Sequence, residues 1–180
     1  SMVVNIGAQS TQFPLLQTER IIISKRFPIG GRQMNEAICK RDPKAIQPSD
    51  RNQNRETLKL AMGRLNDQKK DARKVVGIDS ISGLPREEVI SSYVVNAGIM
   101  NCMNEIASEM KTFLERIPPQ IFYHIAKEGI YLTGGSTRLP YIDTYLASYT
   151  GFTFNLSSLY ETSSGKRSGK IIKEKRPAEM

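Results

Sequence analysis

Residues 129–151 read GIYLTGGSTRLPYIDTYLASYTG, and their order decides the fold class. Gly129 opens an apolar strand, Ile130-Tyr131-Leu132. This runs into the turn Thr133-Gly134-Gly135-Ser136 and then into helical spacing around Tyr141 to Tyr149. Strand, glycine turn and helix in succession belong to a sheet flanked by helices. Glycine at the strand end leaves backbone N–H groups open to an anion, because no Cβ stands in the way. The start of the chain has the same character. Val3 to Ile6 is a β-branched run ending at Gly7, and Ala8-Gln9-Ser10-Thr11-Gln12 leads into a second apolar run at Phe13 to Leu16. A hairpin is expected there. Each glycine turn alone is a weak signal for a phosphate or nucleotide contact, since such turns are common; two in one chain, in this order, are a stronger one.

Working outward, Glu19 to Phe27 contains Ile21-Ile22-Ile23 and predicts a third strand. Pro28-Ile29-Gly30-Gly31 reads as a turn, and Met34 to Cys39 as a helix. Residues 40–55 are polar with Pro43 and Pro48, a surface excursion. Glu56 to Arg64 predicts a short helix with an apolar stripe of Leu58, Met62 and Leu65. Val75 to Ile78 and Glu88 to Ile90 bracket a hairpin tip at Ser82-Gly83-Leu84-Pro85. From Ser91 the apolar residues Val95, Ile99, Met103, Ile106, Met110, Phe113 and Ile117 recur at three- and four-residue steps until Pro118-Pro119, which predicts one long helix packed on the sheet. A shorter helix at Gln120 to Lys127 and a last strand at Phe152 to Phe154 complete the pattern. The expected architecture is α/β: a mixed sheet flanked by helices, with a small helix-and-hairpin subdomain. Residues 2–40 and 91–160 form the core subdomain, 41–90 an inserted basic subdomain, and 161–180 a basic flexible tail.

The 180 residues carry a formal net charge of +8. Arg20 to Lys74 holds 15 Lys and Arg against 6 Asp and Glu, and residues 161–180 hold 6 against 3. No aromatic residues interleave with these charges as a single-strand nucleic-acid groove requires, so nucleic acid is not the expected partner. No apolar stretch approaches the roughly 20 residues of a membrane span, and no signal peptide opens the chain. Ser1 before Met2 reads as a remnant of tag removal, and a first residue set directly in a core strand reads as a lobe cut from a longer chain. Cys39 and Cys102, with one histidine, His124, give neither a disulfide framework nor a zinc site. Both cysteines are expected as small buried hydrophobes in a reducing cytoplasm, and His124 is assigned no role. Ser164 to Lys170 imitates a phosphate loop, but its glycines are four apart, Ile171 stands where Ser or Thr must bind Mg²⁺, and no strand precedes it.

Across residues 3–155 the order of these motifs resembles the second, C-terminal lobe of the MreB family of bacterial actin-like proteins, the Gly83-Leu84-Pro85 hairpin being its most specific element. The resemblance implies an actin-like, ribonuclease H-like lobe that supplies half of a clamp around ATP or ADP with Mg²⁺. It places Asn5, Gly7, Ser10 and Thr11 in a phosphate hairpin and Gly134, Gly135 and Ser136 at an adenosine-contacting strand end. Glu56 and Lys59 fall on a Glu-x-x-Lys helix over adenine and ribose, or else form an ordinary exposed i, i+3 ion pair. It further implies self-association into filaments, cell-shape membrane proteins as partners, and a location in the cytoplasm at the inner face of the membrane. Departures from the family pattern bear on activity. Asn5 replaces an aspartate that helps hold hydrated Mg²⁺, and Ala8 and Gln9 replace hairpin glycines. The residues that position the attacking water belong to the other lobe, so no catalytic residue is assigned and these 180 residues alone are expected to be inactive, with weak or no nucleotide binding. A degenerate, non-catalytic actin-like interaction module is the alternative.

Overall fold

The computed structural model describes residues 1–18, 20–41, 59–63, 65, 72–78 and 82–157. Three antiparallel strands open the chain: β1 (Met2–Ile6), β2 (Thr11–Gln17) and β3 (Arg20–Phe27). They are followed by α1 (Gly31–Arg41), a ribbon of β4 (Ala72–Ile78) and β5 (Pro85–Ser91), the long helix α2 (Ser92–Glu115), and α3 (Pro119–Glu128). Then come β6 (Ile130–Thr133), a 3₁₀ turn (Gly135–Arg138), α4 (Ile142–Thr150) and β7 (Phe154–Leu156). The main sheet has the order β3-β2-β1-β6-β7, with β6 parallel to both β1 and β7, and β4 and β5 form a separate two-stranded sheet.

Alternation along β1 and β2 makes this arrangement. Met2, Val4 and Ile6 of β1 and Phe13 and Leu15 of β2 point to one face and are fully buried, while their neighbours are half-exposed. The buried face receives α1 through Met34 and Ile38, and α2 through the whole predicted stripe, Val95 to Phe113, with Ile117 buried just beyond the helix. Phe13 and Phe113 meet at a ring-centroid distance of 5.9 Å. Burying a side chain such as Met103 or Ile106 contributes about 1.5–3 kcal/mol, so α2 is the principal clamp on the sheet. Lys25 of β3 ties the sheet edge to α2 through Glu109.

Some boundaries and burials differ in detail from those expected. The helix expected around Tyr141 to Tyr149 is α4; between it and the glycine pair the chain makes a single 3₁₀ turn, and α4 begins at Ile142 after Tyr141 takes a left-handed conformation at φ 65°. Pro140 explains the break, because it disfavours α geometry in the residue before it. The last strand is Phe154–Leu156, two residues later than expected, since Gly151 at φ 79° ends α4 and the chain needs Phe152 and Thr153 to reach β6. Of the short helix expected at Glu56 to Arg64, residues 59–62 are helical, with Met62 buried, and Glu56 lies outside the described residues, as does the tail 161–180. Cys102 is buried as expected, but Cys39 is only half-buried. His124 gains a partner: its Nε2 sits 3.2 Å from Glu128 one turn on along α3. No helix among the described residues is long and apolar enough to cross a membrane.

Candidate functional site

Parallel pairing of β1 with β6 aligns Asn5 with Thr133, so the two glycine turns emerge side by side at the carboxyl ends of adjacent strands. That is where open α/β sheets bind ligands. The turn after β1 closes on itself, Gly7 N–H donating to Ser10 O at 3.0 Å. The start of α1 then docks on it: Gly31 N–H donates to Gly7 O at 2.9 Å and Arg32 N–H to Ala8 O at 2.7 Å. The carbonyls of the turn thereby satisfy two of the N–H groups that a helix start leaves unpaired.

Gly30 and Gly31 are the hinge of this arrangement. A Cβ on Gly30 would lie 2.4 Å from Gly7 O and 2.8 Å from Ser10 N, both backbone atoms that cannot yield. A Cβ on Gly31 would lie 2.9 Å from both Lys59 Nζ and Ser136 Oγ. Lys59 is fully buried, and its ammonium donates to Gly31 O at 3.3 Å. Lys59 is therefore not on an exposed face, and Glu56, the other member of the pair considered for it, lies outside the described residues; a buried ammonium requires polar partners, and the start of α1 supplies one.

Gly134 stands at φ 99°, a conformation that favours glycine, and a Cβ there would meet Asn5 Oδ1 and Ile6 O, each at 2.5 Å. Its carbonyl accepts from Thr137 Oγ1 at 2.6 Å, which fixes the 3₁₀ turn.

Five predicted site residues thus meet through the start of α1 or through one another: Gly7, Lys59 and Ser136 around Gly30-Gly31, and Asn5 against Gly134. Ser10 flanks the same turn and accepts from Arg26 Nε at 3.1 Å. Gly135 is exposed, with open space where a Cβ would stand. Thr11 is fully buried and donates its hydroxyl to Ile29 O at 2.7 Å, so that side chain anchors the strand before α1 and offers no surface. Sequence reading missed Gly30, Gly31 and Arg26 as site residues. The paired glycines were visible but read only as a turn; Arg26 gave no signal, because its proximity to Ser10 depends on the register of β3.

A cavity of about 570 Å³, lined by Leu16, Ile22, Ile121 and His124 among others, opens at the other end of the sheet, away from the glycine turns.

A family model described as MreB/Mbl protein matches residues 1–178. The chain belongs to the MreB/Mbl family. It is 29% identical over 154 residues to the cell shape-determining protein MreB of Haemophilus influenzae, covering 84% of this chain and 44% of that protein. With the cell shape-determining protein Mbl of Bacillus subtilis it shares 26% identity over 148 residues, 82% of this chain and 44% of the relative. The chain spans less than half the length of these curated relatives. Among solved structures, MreB5 of Spiroplasma citri bound to ADP superposes with a TM-score of 0.77 at 22% identity, over 87% of this chain and 48% of that one. The MamK double helical filament gives 0.64 at 16% identity, over 87% and 49%. The fold is actin-like, and the family is that of the cell-shape cytoskeleton.

The Mg²⁺ that the family implies does not suit the residues this chain places here. Residues 1–18 and 129–142, which hold both turns, contain no aspartate or glutamate. Asn5 supplies a neutral amide whose oxygen is packed against Gly134, and Mg²⁺ binds through carboxylates and phosphate oxygens. Among the described residues no three His, Cys, Asp or Glu side chains gather into a metal site.

Proposed function

We propose that this chain is the nucleotide-clamp half and filament-contact lobe of an MreB-like cytoskeletal protein that acts in bacterial cell shape and binds ATP or ADP between this lobe and a second one. The observation that carries the proposal is the convergence at Gly30-Gly31: the turn after β1, the start of α1, Lys59 and Ser136 all meet there. Gly7, Ser10 and Asn5 would face the phosphates, Gly134, Gly135 and Ser136 the adenosine, with Lys59 and Glu56 over the ribose. The ADP-bound state of the Spiroplasma citri MreB5 structure, whose fold this chain shares, supports this reading.

Self-association is supported by apolar side chains left in solvent. Ile21 on the edge strand β3 is 63% exposed, and Leu84 and Val89 on the β4–β5 ribbon are 64% and 59% exposed. Unpaired edges and apolar surface of this kind are characteristic of contacts between chains. In the proposed organisation, 2–40 and 91–160 form the core subdomain, 41–90 the basic insertion, and the basic residues of 161–180 a segment suited to the anionic inner face of the cytoplasmic membrane.

The test is ATP and ADP binding by the full-length protein that contains this chain, followed by sedimentation with and without nucleotide. Micromolar binding with nucleotide-dependent pelleting is expected. Absence of binding at millimolar nucleotide would refute the clamp. Ala8, Gln9 and Asn5 favour a second reading, a non-catalytic actin-like module. Phosphate release separates the two: binding and assembly without turnover identifies that module.

A further inference from the structure

The clamp requires compensation for phosphate charge, and on this lobe the usual means is missing: Asn5 is neutral and both turns lack carboxylates to hold a cation. A different positive group stands in reach. Asn5 pairs with Gln12 and Gln12 with Arg26, so Thr133, Asn5, Gln12 and Arg26 form one in-register row across four strands of the sheet. Strands lie about 4.8 Å apart, which puts the Arg26 backbone roughly 10 Å from Asn5. The side chain crosses back toward the turn, because its Nε donates to Ser10 Oγ at 3.1 Å.

Ser10 closes the turn with Gly7, so the guanidinium is held at the rim of the predicted phosphate contact, with only its Nε engaged in a described hydrogen bond. Arginine presents a planar fork that matches phosphate oxygens in pairs and keeps its charge at any physiological pH. Arg32, exposed in the first turn of α1 with its backbone N–H on Ala8 O, adds a second positive charge next to the turn. No acidic residue occupies that first turn of α1, and no described carboxylate pairs with either arginine within salt-bridge distance among the described ion pairs.

We infer that Arg26, held by Ser10, is the phosphate-neutralising residue of this lobe, and that nucleotide binding here does not depend on a divalent cation. The inference rests on the proposed nucleotide clamp and adds to it the group that meets the phosphate charge.

The experiment is equilibrium binding of ADP and ATP to the full-length protein by calorimetry, in excess Mg²⁺ and in EDTA, for the unmodified protein, Arg26→Gln, Ser10→Ala and Asn5→Asp. Arg26 is exposed, so the glutamine variant is expected to fold with an unchanged melting temperature. The expected result has four parts: affinity within threefold with and without Mg²⁺; a loss of tenfold or more in Arg26→Gln in both conditions; a smaller loss in Ser10→Ala; and a Mg²⁺ dependence that appears in Asn5→Asp. Binding by the unmodified protein that collapses in EDTA would overturn the inference while leaving the clamp intact, as would full affinity in Arg26→Gln. No binding under any condition would overturn the clamp and this inference with it.

Discussion

Gly30→Ala should damage this protein severely through steric overlap alone. The new Cβ would lie 2.4 Å from Gly7 O, 2.8 Å from Ser10 N and 2.9 Å from Ala8 C, all backbone atoms of a turn closed by its own hydrogen bond. A flexible side chain could step aside, but this turn can move only by releasing the Gly31 and Arg32 N–H bonds that dock α1. Overpacking costs typically 1–3 kcal/mol, and three backbone contacts under 3.0 Å place this case at about 3 kcal/mol. For a chain of this size that lowers the melting temperature by about 6–12 °C. The matched control is Gly135→Ala, exposed, with nothing within 4 Å of the added atom. It should fall within about 0.5 kcal/mol of the parent, or stabilise slightly by restricting the unfolded chain. Thermal melts and urea titrations of both variants measure the difference. Equal stability of the two variants would refute the view that the turn and α1 are locked through Gly30, and so would a Gly30→Ala cost under about 1 kcal/mol.

Thr11→Val keeps the β-branched shape but leaves Ile29 O without its donor at a fully buried position, and a loss of about 1–3 kcal/mol in urea titration is expected. Ile21→Lys on the exposed edge should leave the melting temperature within about 2 °C, because surface changes cost little, while reducing the pelleted fraction of the full-length protein; unchanged pelleting would remove β3 from the assembly surface. Cys102 should react far more slowly with thiol reagents near pH 7.5 than half-buried Cys39, because burial, with Glu105 and Glu36 beside it, raises its pKa above the ordinary 9.0 against a partial opposing effect of Lys59. The folded thiol gives up its proton less readily than the unfolded one. Its share of stability is therefore intact below pH 9.0 and lost as pH rises through the raised value, so Cys102→Ala should flatten the alkaline decline in melting temperature.

The fold was legible where periodicity carried the information. The α2 stripe is buried at every predicted position, because a single helix lying on a sheet must bury a face at three- and four-residue steps. The hairpin strands β1 and β2 were legible for the same reason at period two. Element ends were less so. Nothing in the spacing of Gly134-Gly135-Ser136 distinguishes a 3₁₀ turn from the first turn of a helix; Pro140 and the left-handed Tyr141 decide it, and their effect is conformational.

Within the candidate site, the residues predicted from sequence are those whose chemistry is visible in their own identity, such as glycine after a strand or a lysine three residues past a glutamate. The ones missed depend on what another segment does nearby. Gly30 matters because the Gly7 carbonyl occupies the space a side chain would take, and Arg26 because antiparallel register carries it opposite Gln12 and within reach of Ser10. Gly30 is constrained by backbone packing against Gly7, Ala8 and Ser10 whether or not nucleotide binds. Asn5, Ala8 and Gln9 are the positions at which the expected family pattern and this sequence differ. Replacing Asn5 with aspartate is for that reason expected to alter how phosphate charge is met while leaving the turn, α1 and Lys59 in place.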